Sequence, residues 1–196
     1  LHLLLLHSHL VVTKGYHFPS LTLVGVVDAD LSLSGGDLRA GERSVQLLSQ
    51  VSGRAGREHK AGRVLLQSYM TEHPVIRALV KGDRDGFLAA ELAGRSAARM
   101  PPFARLCSLI ISSRMERLAA NVATDLVRAA PRDDGVEVFG PAPAPIAQLR
   151  GQFRFRILVK ALKNRNLQTI MRAWLGSVSW TRSTNVRVDM DPYSFL

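Results

Sequence analysis

Residues 21–30 read Leu-Thr-Leu-Val-Gly-Val-Val-Asp-Ala-Asp, a β-branched apolar run that ends in two acidic residues. A continuous run of this kind predicts a strand buried on both faces, as in a parallel sheet. Helical spacing follows between Glu42 and Val51, and a second buried strand is predicted at residues 63–69. Strand and helix in alternation predict an α/β unit with a parallel sheet.

The chain on either side of this unit also carries fold signals. Residues 1–10 are leucine-rich and predict a strand or helix that belongs to a larger structure. Pro74 predicts a helix start, and residues 83–100 predict further helix. Because Pro101-Pro102 ends that helix, we place a domain boundary there, with domains at residues 1–100 and 101–196.

The second half has a different rhythm of elements. Strands are predicted at residues 103–111, 136–139, 153–160 and 186–190, helices at 115–126 and 167–174, and a proline-rich loop at 140–145. This order, β-α-β-β-α-β, predicts a split βαβ, ferredoxin-like α+β domain.

The excess of basic residues indicates which class of partner the chain binds. Lys and Arg number 26 against 16 Asp and Glu, which gives a net charge of +10 and favours a polyanion, either nucleic acid or an anionic membrane surface. The helices are ordinary core-facing ones, so a membrane partner is not expected. The single cysteine, Cys107, excludes a disulfide framework and a cysteine-based zinc cluster inside this chain, and we predict no metal site.

Residues 50–57 read Gln-Val-Ser-Gly-Arg-Ala-Gly-Arg and are the most informative segment for chemistry. Arg54 and Arg57, three residues apart, suit two guanidinium groups aimed at one polyphosphate. The alternative is a solvated Gly/Arg loop on a basic protein.

Several segments, taken in order, carry a resemblance to a known family. Residues 50–57 resemble motif VI of superfamily 2 helicases, and residues 13–19 with 22–30 resemble motif V. The ordered set resembles the primosomal replication-restart DNA helicases, the PriA family. The likeness continues at residues 39–43, 69–74, 100–103, 140–143, 154–156 and 189–192.

The resemblance implies an ATP-dependent 3′-to-5′ DNA helicase that restarts stalled replication forks by primosome assembly. It implies that this chain is the C-terminal portion: the end of a second RecA-like helicase lobe followed by a DNA-fork-binding domain. In motif V, it implies that Lys14 contacts DNA and that Gly15 and Asp30 lie at the nucleotide. A bacterial, cytoplasmic and nucleoid-associated protein is expected.

Motif VI implies the catalytic arginines. In the family these arginines reach the γ-phosphate of ATP bound to the first lobe. Arg57 is therefore expected to be the arginine finger and Arg54 its partner, with Gln50 and Gly53 beside the nucleotide.

Other family parts are missing from this sequence. No Gly-x-x-x-x-Gly-Lys-Ser/Thr cradle is present for the phosphates of ATP, and no Asp-Glu-x-His box is present for Mg²⁺. The cysteines that hold zinc in the family are absent as well, and His7-Ser8-His9-Leu10 replaces a family Gly-Thr-Gln-Met, which suggests a frameshift, a degraded copy or a truncated gene. We therefore expect no ATPase activity from this polypeptide alone. The rival hypothesis is a non-catalytic nucleic-acid-binding module or degenerate helicase relic.

The second domain supplies the predicted DNA contacts. Arg154 and Arg156 alternate with Phe153 and Phe155, a pattern that fits either phosphate contacts beside stacking aromatics or solvated arginines on a strand whose phenylalanines are core. With Arg150 and Lys160, these arginines form the predicted surface for forked and single-stranded DNA.

The resemblance also implies a partner site after this strand. In the family, an Arg and a Gln grip the acidic tail of single-stranded DNA-binding protein. Gln168 matches the Gln, Asn164 stands at the position of the Arg, and Arg165 is the expected substitute. Other primosome proteins are further expected partners.

Overall fold

The computed structural model describes residues 2–7, 21–33, 37–52 and 63–193. The chain divides into two compact units, Leu1–Glu91 and Leu92–Leu196. This division falls within the helix at Arg84–Ala97, which precedes the Pro101-Pro102 pair. The domain boundary that we place at those prolines stays a prediction. Among the described residues, no helix has the length and apolar character needed to cross a membrane.

The first unit is an α/β structure with a parallel sheet. Its strands β1 (His2–His7), β2 (Leu21–Val27) and β3 (Arg63–Leu66) follow the order β1-β2-β3, and Val24 of β2 pairs with Leu4 of β1 and Val64 of β3. The apolar run at residues 21–27 forms the central strand, as its buried pattern predicts. The elements are β1 (His2–His7), β2 (Leu21–Val27), a 3-10 helix (Ala29–Ser32), α1 (Ala40–Ser52), β3 (Arg63–Leu66), α2 (Pro74–Lys81) and α3 (Arg84–Ala97), the last continuing into the second unit.

Local capping sets the ends of α2. His73 precedes the helix and its Nδ1 accepts a hydrogen bond from the Val75 amide at 3.3 Å. Pro74 occupies the first turn, where the missing N–H costs no helical hydrogen bond. Gly82 ends the helix with a φ of 68°, the left-handed conformation that glycine adopts without a Cβ clash.

The second unit contains the elements β4 (Ala104–Ser113), α4 (Glu116–Arg128), β5 (Val136–Leu149), β6 (Gln152–Leu162), α5 (Leu167–Gly176) and β7 (Thr184–Met190). Its four strands are antiparallel and follow the order β5-β6-β4-β7. Both helices pack against one face of the sheet, because residues of α4, α5, β4 and β6 share one buried core. The indole N–H of Trp174 links the helices by donating to the Leu126 carbonyl at 3.0 Å.

One predicted element in this unit is wrong. The proline-rich segment at residues 140–145 is not a loop but part of the long strand β5. Proline is tolerated there because β5 lies at the edge of the four-stranded sheet, where outward positions need no N–H donor. Proline lowers strand expectation in general, and edge position is not visible in the sequence.

Candidate nucleic-acid interface

The side chains of β6 divide between the two faces of the sheet. Ile157, Val159 and Ala161 are buried in the core beneath the helices. Since successive strand residues point to opposite faces, Arg154 and Arg156 lie on the face opposite α4 and α5. We call this face of the sheet β5-β6-β4-β7 the open face.

The two phenylalanines of β6 lie on the helix side. Phe155 packs against the buried core, and Phe153 is half-buried and has the same orientation by alternation. The open face therefore presents the arginines without these rings beside them. This placement favours the sequence alternative in which the phenylalanines serve the core and removes them as stacking platforms for bases.

The register places Arg154 and Arg156 against uncharged neighbours. Arg154 pairs with Ser112 of β4, and Arg156 pairs with Ile110. Both arginines are half-buried, and Nη1 of Arg154 donates to the Ile146 carbonyl of β5 at 3.3 Å. The guanidinium of Arg154 is thus held at the β5 side of the open face.

Arg150 lies at the tip of the β5–β6 hairpin. Leu149 pairs with Gln152, so Arg150 and Gly151 form a two-residue turn with φ angles of 50° and 73°. Two positive φ angles are what a type I′ hairpin turn requires, and its twist matches that of the strands. The side chain of Arg150 is exposed to solvent at the end of the hairpin.

Lys160 is paired with a neighbouring carboxylate. Its Nζ lies 3.1 Å from Oε1 of Glu137 and 5.6 Å from the ring centroid of Phe139. Its side chain is only 14% exposed. A lysine held by a carboxylate and an aromatic ring is poorly placed to reach a phosphate as well.

The two residues predicted for the protein partner have different hydrogen-bonding partners. Nη2 of Arg165 lies 3.1 Å from Oδ1 of Asp133, whereas Gln168 Oε1 accepts a hydrogen bond from Nη1 of Arg105 at 3.0 Å. Arg105 also contacts Asp191 at 2.5 Å, and this hydrogen bond raises the pKa of Arg105. Sequence reasoning missed Arg105 because it lies 63 positions from Gln168 in the chain, and only the sheet topology brings the two together.

Asp30 of the first unit is held by the loop after β3. Its two carboxylate oxygens accept hydrogen bonds from Ser68 Oγ at 2.5 Å and from the Tyr69 amide at 2.6 Å. The Ser68 hydrogen bond is the main cause that lowers the pKa of Asp30. Parallel strands end at the same edge of a sheet, which is why the residues after β2 and β3 meet.

Comparison with known proteins gives the family. Residues 96–193 match the family model described as the primosomal protein N C-terminal domain. The chain belongs to the PriA family. The match covers all of β4 to β7 and therefore the whole open face.

Full-length relatives extend the likeness to most of the chain. It is 45% identical over 185 residues to the replication restart protein PriA of Rickettsia conorii, which covers 94% of this chain. The PriA proteins of Treponema pallidum and Haemophilus influenzae are 37% and 33% identical and match 95% and 93% of it. The chain spans between 25% and 29% of the length of these three relatives.

The structure describes only some of the residues that the PriA resemblance assigns to the first unit. Lys14, Gly15, Gly53, Arg54 and Arg57 lie outside the described residues. Gln50 is exposed near the end of α1. Of the residues expected at the nucleotide, the structure describes Asp30 and Gln50.

The described residues do not group ligands for the zinc that the resemblance implies for the family. Over residues 2–7, 21–33, 37–52 and 63–193, no three His, Cys, Asp or Glu side chains are grouped to hold a metal ion. Cys107 is fully buried, and burial raises the pKa of its thiol to about 12. A zinc ligand must be a thiolate, so this thiol is unsuited to the role.

Proposed function

We propose that this chain is the DNA-binding C-terminal part of a replication restart helicase of the PriA type. Its open face is the DNA interface, with Arg154 and Arg156 of β6 and Arg150 of the hairpin as phosphate contacts. Forked and single-stranded DNA are the proposed ligands, in the bacterial cytoplasm and at the nucleoid. We further infer that the second unit is ferredoxin-like, which its strand order β5-β6-β4-β7 supports, and that the first is part of a RecA-like lobe.

The placement of Arg154 and Arg156 on the open face carries this proposal. Alternation along β6 separates them from the helix-covered core, on a face whose paired neighbours Ile110 and Ser112 carry no charge. Arginine is suited to bidentate contacts with phosphate oxygens. With both phenylalanines on the other side, the interface is proposed to hold the sugar–phosphate backbone, independent of base sequence.

The test is fluorescence anisotropy with labelled forked and duplex DNA over a series of salt concentrations. The variants Arg154→Gln and Arg156→Gln are expected to weaken binding and to lower the slope of log K against log salt by about 0.9 each on duplex DNA. Arg172→Gln is the matched control, because Arg172 is an exposed arginine on α5, in the helix layer. Unchanged affinity and slope in both β6 variants contradict the proposal.

For motif VI, we propose that Arg57 acts as an arginine finger and Arg54 as its partner toward ATP held by residues outside this chain. The chain alone is expected to give no ATP turnover, because its sequence lacks a phosphate cradle. A chimera that carries this chain in place of the matching segment of the Rickettsia conorii protein supplies the test. DNA-stimulated phosphate release by the chimera, lost in Arg57→Lys, supports the proposal. An inactive chimera that still binds DNA favours the non-catalytic binding module instead.

For the protein partner, we propose that Gln168 and Arg105 meet the acidic tail of single-stranded DNA-binding protein, with other primosome proteins as further partners. Arg105 replaces Arg165 in this proposal because its guanidinium contacts Gln168. Each of the two arginines also pairs with a carboxylate, Arg105 with Asp191 and Arg165 with Asp133. A labelled peptide of that tail is expected to bind the chain and to lose affinity in Arg105→Gln. Loss in Arg165→Gln alone restores the original expectation.

A further inference from the structure

A third arginine reaches the open face from the far end of the sequence. Arg187 of β7 pairs with Ile110 of β4, which on its other side pairs with Arg156 of β6. Val186 packs against the core, so Arg187 points to the opposite face by alternation, and it is exposed. Arg156, Ile110 and Arg187 therefore form one row across three strands.

The neighbouring row has the same character. Arg154, Ser112 and Asn185 lie side by side on β6, β4 and β7. Neither row contains an acidic side chain. Two strand spacings separate the ends of a row, which is roughly 10 Å.

The opposite half of the open face is acidic or charge-compensated. Asp189 pairs with Ser108, one row beyond Arg187, and Glu137 pairs with Lys160. The sheet thus places Arg154, Arg156 and Arg187 together in one half of the open face, and carboxylates border this half where they repel phosphates.

We propose that Arg187 is a DNA phosphate contact and that the DNA backbone crosses the strands from β6 to β7 over the rows of Arg154 and Arg156. This inference rests on the proposed DNA-binding function and adds the direction of the backbone and a residue on a third element. The backbone path is perpendicular to β6, and Asp189 marks its limit on β7.

The experiment measures binding of the full chain to a labelled duplex by anisotropy between about 50 and 200 mM salt. Arg187→Gln keeps the side-chain length and is expected to lower the salt slope by about 0.9, as each β6 variant does. Arg172→Gln is again the control with the same charge change. Circular dichroism of each variant verifies that the fold is retained.

Two further variants are expected to strengthen DNA binding, a result that a misfolded protein would not give. Asn185→Lys adds a cation to the row of Arg154 and is expected to raise the slope by about 0.9. Asp189→Asn removes the bordering carboxylate and is expected to tighten binding. Both effects are expected if the backbone passes over β7.

The outcomes separate the inference from the function on which it rests. Loss in Arg154→Gln and Arg156→Gln, with Arg187→Gln and Asn185→Lys unchanged, overturns the path across the strands and leaves the DNA interface in place. No loss in any of the three arginine variants overturns both. Vesicles of phosphatidylglycerol and phosphatidylcholine test the other polyanion: Arg187-dependent binding to vesicles without any effect on DNA overturns the assignment to DNA.

Discussion

At the scale of single residues, the pKa values of Asp30 and Cys107 are shifted by neighbours that are distant in sequence. Asp30 is bound by Ser68 and Tyr69, 38 and 39 positions later. Cys107 is buried at the centre of β4 and lies near the charges of Asp189 and Asp191. In both cases the sheet, and not the local sequence, sets the pKa.

Asp30→Asn is expected to loosen the loop after β3, because the amide of Tyr69 loses its carboxylate acceptor. Hydrogen exchange at the Tyr69 amide measures this directly. The pKa of Asp30 is lowered in the folded state, so its carboxylate stabilises the loop above the ordinary aspartate pKa of about 3.9, and this effect is lost as the pH falls below it. Asp28→Asn is the matched control, since Asp28 is exposed with a φ of 56°, which asparagine also adopts. Equal exchange rates in the two variants contradict the role of Asp30.

Cys107 is expected to resist thiol reagents in the native protein. Burial raises the pKa of its thiol to about 12, so almost no thiolate is present at pH 8. Reaction with Ellman's reagent should be slow in buffer and complete in guanidinium chloride. A raised folded pKa stabilises the fold fully below the unfolded thiol pKa of about 8.5, and this contribution falls as the pH rises toward 12. Cys107→Val should therefore lose less unfolding free energy between pH 8.5 and 11, and equal losses contradict this origin.

At the scale of elements, the β5–β6 hairpin positions the proposed interface through two glycines with positive φ. Gly140 has a φ of 111°, and a Cβ there would lie 2.8 Å from the Arg156 carbonyl oxygen. Gly151 has a φ of 73°, and a Cβ there would meet no atom within 4 Å. The first glycine allows close approach of two strands, and the second allows only the turn.

Alanine at these two positions should therefore have unequal effects. Gly151→Ala is expected to lower the unfolding free energy by about 1 kcal/mol, from backbone strain alone. Gly140→Ala adds a clash with backbone and is expected to cost about 3 kcal/mol. Urea unfolding followed by tryptophan fluorescence measures both. Similar losses would show that the contact between Gly140 and Arg156 does not restrict the hairpin.

Much of this element order follows from the sequence, and the part that does not has a physical reason. Residues 21–27 form a strand and Pro74 opens a helix as predicted, because burial pattern and proline geometry are local signals. The strand through Pro141 and Pro143 was not predictable locally, since its edge position depends on the whole sheet. Arg105 and Arg187 escaped sequence reasoning for the same reason: each becomes a candidate only through its register with a distant strand.

At the scale of the whole molecule, the charge of +10 is not one uniform property. On the open face, arginines occupy one half, while Lys160 in the other half is matched by Glu137. The net charge therefore suggests polyanion binding, but the sheet register decides where a phosphate can meet an arginine. Salt dependence of binding should accordingly reflect a few residues and not the total charge.

The two units have separate cores, and this separation predicts how the molecule unfolds. The cores of the first unit are built from residues between 24 and 87, and that of the second from residues between 107 and 190. Both tryptophans, Trp174 and Trp180, belong to the second unit. Tryptophan fluorescence therefore reports the second unit, whereas far-ultraviolet circular dichroism reports helices and strands of both.

Guanidinium unfolding should consequently give curves that do not coincide between these two probes. Leu48→Ala, in the first unit, is expected to shift the circular dichroism curve and to leave the fluorescence curve unchanged. Leu109→Ala, in the second unit, is expected to shift the fluorescence curve. Leu48 is 5% exposed and Leu109 is fully buried, so each truncation should cost about 2–5 kcal/mol in its own unit. If Leu48→Ala moves the fluorescence curve as far as Leu109→Ala does, the two units unfold together, and the cores are energetically one despite their separate residues.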